Sequence, residues 1–136
     1  MSIEYLDLAD YLAIAAEVTG LGIDTVIKVT DVDSADSALH APSAGFDATD
    51  FYPDFIVKAA VLVVRLARNH PLPDGNKRAA WVSLRSFVDM NGWTWGPKPD
   101  IDEAEQAMLA IASGAWDEDE AAHWLRQHLV SPHAAD

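Results

Sequence analysis

From Phe55 to Ala67 the chain is apolar at nearly every position, with Lys58 and Arg65 the only charges in the run. A helix that is apolar around most of its circumference leaves no face for water, so it must lie centrally with other elements packed about it. The run is too short and too charged to cross a bilayer, which takes about 20 consecutive apolar residues. Everything else in the chain has to be arranged around this segment.

A second helical pattern follows from about Asn76, with Trp81, Val82, Leu84, Phe87 and Val88 on its apolar side and Asn91-Gly92 as its stop. Between the two stands a polar loop, Asn69-His-Pro-Leu-Pro-Asp-Gly-Asn-Lys-Arg78, in which Pro71 and Pro73 forbid continuous helix. Pro53 is expected in the first turn of the central helix, where a missing N–H costs nothing. Ile3 to Val18 reads as helix ended by Gly20 and Gly22, and Asp33 to His40 as a short helix ended by Pro42. Ile23 to Val32 is open between a short strand and a helical turn, and Ser43 to Thr49 reads as loop. Asp100 with Glu103, and Asp117 with Glu120, have the spacing of capping pairs. They start helices expected to reach Ser113 and Leu129. With no internal repeat and no useful alternating pattern, the expectation is an all-α fold. It is a single domain, residues 1–136, of about six helices around a buried central pair.

The net charge of −13 argues against direct DNA binding, which relies on basic surface. Cysteine is absent, which excludes disulfides and thiolate metal sites and fits a cytoplasmic protein. Glu4, Asp7 and Asp10 replace the basic start of a signal peptide. The cations are unevenly spread: Lys58, Arg65, Arg68, Lys77, Arg78 and Arg85 face only Asp74 within their span. Such a local positive region in an acidic chain suits a small anion such as a nucleotide phosphate. The plainer alternative is that these cations decorate solvated helix faces. Lys58, Arg65 and Arg68 fall on one helix face that leads up to the loop.

Gly75-Asn76 opens a helix, and free N–H groups at a helix start attract anions. Glycine lets the backbone come close to such an anion. Lys77 and Arg78 stand at the end of the helix that cations avoid, which an anion there would explain. His70 is placed to act as a general base. Asp74 has two readings, a Mg²⁺ ligand beside phosphates or a cap on the helix.

The run His70-Pro-Leu-Pro-Asp-Gly-Asn-Lys-Arg78 resembles the active-site motif of the Fic/Doc family, His-x-Phe-x-Asp/Glu-Gly-Asn-Gly/Lys-Arg. The likeness spans about Ala35 to Gly92. Leu72 stands where the family usually has phenylalanine, and an apolar residue there should still anchor the loop in the core. Lys77 replaces the glycine of members that transfer AMP, and Trp81 stands where their second arginine would be. Both features are similar to the Doc branch. The resemblance implies the toxin half of a toxin–antitoxin pair. Such a toxin would transfer the γ-phosphate of ATP to a Thr or Ser hydroxyl of a target protein, elongation factor Tu, and so inhibit translation.

By the same resemblance, ATP and Mg²⁺ are the cofactors, and His70, Asp74 and Lys77 form the catalytic set. His70 is the base; Asp74 binds Mg²⁺ or orients His70. Gly75, through its backbone, and Asn76, Lys77 and Arg78 hold phosphates, with Arg68 adding to the same site. Asp74-Gly75 is also close to the AMP-transferring pattern. AMP transfer is therefore one alternative, and a non-catalytic phosphate-binding scaffold another. Family members are often blocked by a helix carrying Ser/Thr-x-x-x-Glu, and no Ser or Thr here has Glu four residues on. This implies an antitoxin supplied in trans whose segment fills a surface groove, with Trp93, Trp95, Trp116 and Trp124 candidates for that groove or for the core.

Gly75 to Arg78 lacks the spacing of a P-loop. His123 and His128 have no metalloprotease pattern and are expected to cap or decorate the last helix, with His40 and His133 on surface loops.

Overall fold

The central run does become a central helix. A computed structural model describes residues 2–133 of the chain. Among them α4, Phe55–Asn69, buries Phe55, Ile56, Lys58 to Val64, Leu66 and Ala67, leaving water only a narrow strip. It packs against α3 (Val32–His40), α5 (Asn76–Met90), α6 (Ile101–Ser113) and α7 (Glu118–Arg126). On the other side of α5 lies α1, Leu8–Thr19, which in turn carries α2, Ile23–Val29. One minimal hairpin, β1 (Gly45–Phe46) with β2 (Thr49–Asp50), and one antiparallel pair joining distant segments, β3 (Thr94–Trp95) with β4 (Leu129–Val130), complete the described residues. The architecture is all-α around the α4–α5 pair.

The departures from expectation have local causes. The first helix begins at Leu8 instead of Ile3, because Asp7 and Asp10 cap each other's backbone N–H at 2.8 and 3.0 Å. The preceding residues are strapped to the end of α5, where Asn91 accepts from the N–H of Glu4 at 2.8 Å and donates to its carbonyl at 2.9 Å. The ambiguous segment at Ile23 is helical. It turns only Val26 into the core, and packing on α1 overrides the strand preference of its β-branched residues. It brings the α-helices among the described residues to seven, one more than expected. Pro53 falls one residue ahead of the cap and not in the first turn: Asp54 caps α4, accepting from the N–H of Ile56 at 2.9 Å. Residues 43–49 are not plain loop but carry a hairpin, whose turn puts Asp47 and Ala48 at φ 51° and 65°. The last helix stops at Arg126, since Leu129 and Val130 pair with Trp95 and Thr94. His128 is buried there with Nδ1 2.7 Å from the carbonyl of Pro97, and does not decorate the helix surface.

Lys58 is the one buried cation among the described residues. Its ammonium donates to Asp50 at 2.6 Å and to the Pro42 carbonyl at 2.9 Å, and lies 5.5 Å from the centre of the Tyr5 ring. Burial works to lower its pKa, but the hydrogen bonds and charges of Asp50 and Tyr5 outweigh this and the net shift is upward. The hydrogen bond from Lys58, followed by that from the Tyr52 N–H, holds the Asp50 carboxyl below its usual range. The β1–β2 hairpin is thereby fastened to the central helix.

Candidate active site

The loop from His70 to Gly75 leaves α4 abruptly. His70 takes the left-handed conformation, φ 49° and ψ 56°, and so ends the helix with an exposed imidazole. Just before it, Asn69 and Ser34 bind each other twice: the Ser34 hydroxyl donates to the Asn69 carbonyl, and the Asn69 amide donates to the Ser34 carbonyl, each at 3.1 Å. The carbonyl of Pro71 accepts from the N–H of Asp31 at 2.7 Å. Leu72 is 4 % exposed and belongs to the hydrophobic core, the anchoring expected of an apolar residue at this position. Helix α3 and the core therefore hold one side of the loop.

The other side is closed by Asn76. Its carboxamide accepts from the N–H of Leu72 at 2.9 Å and donates to the carbonyl of Leu72 at 2.8 Å. Gly75 is the N-cap of α5 at φ 83°, where a side chain would be strained although space exists for it beside Val18 and Thr19. No side chain caps α5, so Asp74 is not the helix cap that one reading made it. The first intrahelical bond runs from the N–H of Ala79 to the carbonyl of Gly75. The N–H groups of Asn76, Lys77 and Arg78 have no partner among the described residues. Three unfilled donors at the positive end of a helix of 15 residues form an anion-attracting corner.

The expected site residues do not all converge there. His70, Asp74 and Lys77 are exposed, and their side chains form no hydrogen bond or ion pair among the described residues. Asn76 spends its carbonyl oxygen and one N–H on the loop, leaving its backbone N–H for a ligand. Arg78 reaches the carbonyl of Val18 at 3.4 Å, near the C-terminal, negative end of α1. Part of its placement is therefore explained without an anion, which leaves Lys77 as the misplaced cation that an anion would account for. Arg68 donates from Nε to the Ile111 carbonyl at 3.1 Å and from Nη2 to the Trp116 carbonyl, which engages it with the end of α6. Arg65 pairs with Glu118 at 3.2 Å and Lys58 with Asp50, so the cationic face of α4 is consumed by packing and does not lead to the loop. Trp81 packs at a tilt against Trp95 and Trp124, with ring centres 5.4 and 6.3 Å away. Ser34, Asp31 and Val18, which shape the loop, carry no signal in the sequence because their partners lie 35 to 60 residues away.

A left-handed histidine, a core-anchored apolar residue, a helix-opening glycine and an asparagine clamp thus sit in the order the motif prescribes. The model of the Fic/DOC family matches residues 5–93. The chain belongs to the Fic/Doc family. It is also 39 % identical over 110 residues to a protein named Toxin Doc from Mycolicibacterium smegmatis, across 81 % of this chain and 82 % of that one. The Fic/Doc match covers α1 to α5, so it includes every element that shapes the loop. Helices α6 and α7 lie beyond it and supply the partners of Arg65 and Arg68.

Proposed function

We propose that this Fic/Doc protein is a Doc-like toxin that transfers the γ-phosphate of ATP to a serine or threonine hydroxyl of a target protein. Elongation factor Tu is the target the family resemblance implies, with arrest of translation the result. Support comes from the open start of α5, where three backbone N–H groups lack partners and Lys77 is exposed and unpaired, with an exposed His70 at the other end of the same short loop.

In this reading the phosphates rest on the N–H groups of Asn76, Lys77 and Arg78, with Gly75 allowing close approach. Lys77 meets the charge that grows on the leaving ADP. A ring nitrogen of His70 takes the proton of the attacking hydroxyl as its oxygen bonds to the γ-phosphorus and the bond to the β–γ bridging oxygen breaks. Asp74 fits a Mg²⁺ that takes one carboxylate and otherwise phosphate oxygens and water. Among the described residues no group of three or more His, Asp or Glu side chains gathers to hold an ion, so phosphate oxygens and water would complete its coordination. When bound, Mg²⁺ would neutralise phosphate charge. Arg78, half engaged with α1, needs only to swing from Val18 to add a second cation.

The aromatic packing of Trp81 favours phosphate transfer over AMP transfer, because the place of a second phosphate-binding arginine is filled by indole rings. The name of the relative from Mycolicibacterium smegmatis favours the toxin reading, and with it an antitoxin supplied in trans that silences this protein. The deciding experiment adds γ-labelled or α-labelled ATP to the protein in a translation extract. Label passed to protein from the γ position alone is the expected result. Label passed from the α position means AMP transfer, and none from either means a binding scaffold.

A further inference from the structure

The starts of α6 and α7 flank a groove that the loop chemistry does not use. Its floor is made by Trp116 and Trp124, half-buried rings with centres 6.1 Å apart. Two adjoining clefts, about 360 and about 560 Å³, share both indoles. Asp119 and Glu120 line the first; Asp100, Asp102 and Glu103 line the second. Neither cleft is lined by a lysine or arginine.

Helix capping accounts for part of this charge. Asp100 accepts from the N–H of Glu103 at 2.8 Å, and Glu120 accepts from the N–H of Asp117 at 3.2 Å. Capping leaves Asp102 and Asp119 without a hydrogen bond or ion pair among the described residues. Glu103 has only the His128 ring, at 3.9 Å. Behind the groove Trp124 is held by His128 and Trp81, at 4.6 and 6.3 Å between ring centres. Its exposed part is therefore presented in a fixed orientation, which lowers the ordering cost of binding.

We propose that this groove docks a basic, arginine-bearing segment of a partner protein. Indole faces attract cations, and a guanidinium can stack on the ring while forking onto a carboxylate. Two clefts side by side, sharing their floor, suit two cationic side chains of one extended segment better than one compact ion. The groove lies on α6 and α7, so the proposal is independent of the chemistry assigned to the loop.

The test is an NMR titration of the full chain, following the indole N–H signals of Trp116 and Trp124, assigned with W116F and W124F. The probe is the capped peptide Gly-Arg-Gly-Arg-Gly, with its lysine counterpart and spermidine in parallel. Saturable shifts of these two signals are expected. The variant D102N/E103Q/D119N should weaken binding about ten-fold, while D33N/D36N, on α3, should leave it within about two-fold. The proposal is overturned if the arginine peptide binds the triple variant as tightly as the parent, or shifts neither signal. Spermidine or the lysine peptide binding as tightly as the arginine peptide would likewise overturn it, since charge alone would then suffice.

Discussion

The carboxamide of Asn76 holds both backbone polar groups of Leu72, so one side chain on the first turn of α5 closes the loop that follows α4. Two bonds across four residues fix the approach to Gly75 and leave the adjoining N–H groups open. The pairing turns a proline-rich connection into a shaped surface.

Removing the clamp should show in both stability and activity. Asn76→Ala is expected to cost about 1–3 kcal/mol, because the Leu72 groups lose their partner in a partly buried setting. Asn76→Asp keeps the acceptor and loses the donor, so it should fall between the parent and the alanine variant. Urea unfolding of the three proteins gives the order, and equal midpoints would mean that the clamp contributes nothing.

His70 carries a separable backbone cost. A left-handed non-glycine residue is strained by roughly 1–2 kcal/mol. His70→Gly should therefore be more stable than His70→Ala by up to about 1 kcal/mol. Both should lose about 10²–10⁴ in phosphate transfer, the usual contribution of a general base. Thermal melts and γ-label incorporation check the two halves; full activity in either variant would remove His70 from its proposed role.

Lys77 should show opposite signs in its two readouts. A cation on the first helical turn is unfavourable, so Lys77→Ala is expected to stabilise the free protein by about 0.3–1 kcal/mol. The same change should weaken ATP binding and phosphate transfer. Denaturation without nucleotide and titration with ATP measure the two effects. Loss of stability together with unchanged ATP affinity would place Lys77 outside the site.

The Lys58–Asp50 pair should appear in the pH dependence of stability. The Asp50 pKa is depressed on folding, so its contribution is present above the usual carboxylate range and disappears as the pH falls through the depressed value, below about pH 4. The Lys58 pKa is raised, so its contribution persists through neutral pH and is lost only as the pH climbs past the ordinary lysine range, above about 10.4. Asp50→Asn should accordingly be less stable than the parent at pH 7, with the gap closing in strong acid. A gap that stayed constant down to pH 2 would show that ionisation of Asp50 is not involved.

The central helix, the break at His70-Pro71, the restart at Asn76 and the stop at Gly92 were all legible in the chain, because each depends on residues within a turn or two. Apolar circumference, missing proline donors, glycine at positive φ and carboxylate caps act locally, and the motif residues are local too. What the tertiary structure decided was which polar groups remained free. Arg68 was drawn to the end of α6, Lys58 and Arg65 into pairs with a hairpin and α7, and Arg78 toward α1, by partners between 8 and 60 residues distant. A cation or a carbonyl in a chain carries no mark of the group that will satisfy it. Only after packing brings separate segments within about 3 Å does each polar group find its partner, and the ones left over define the site.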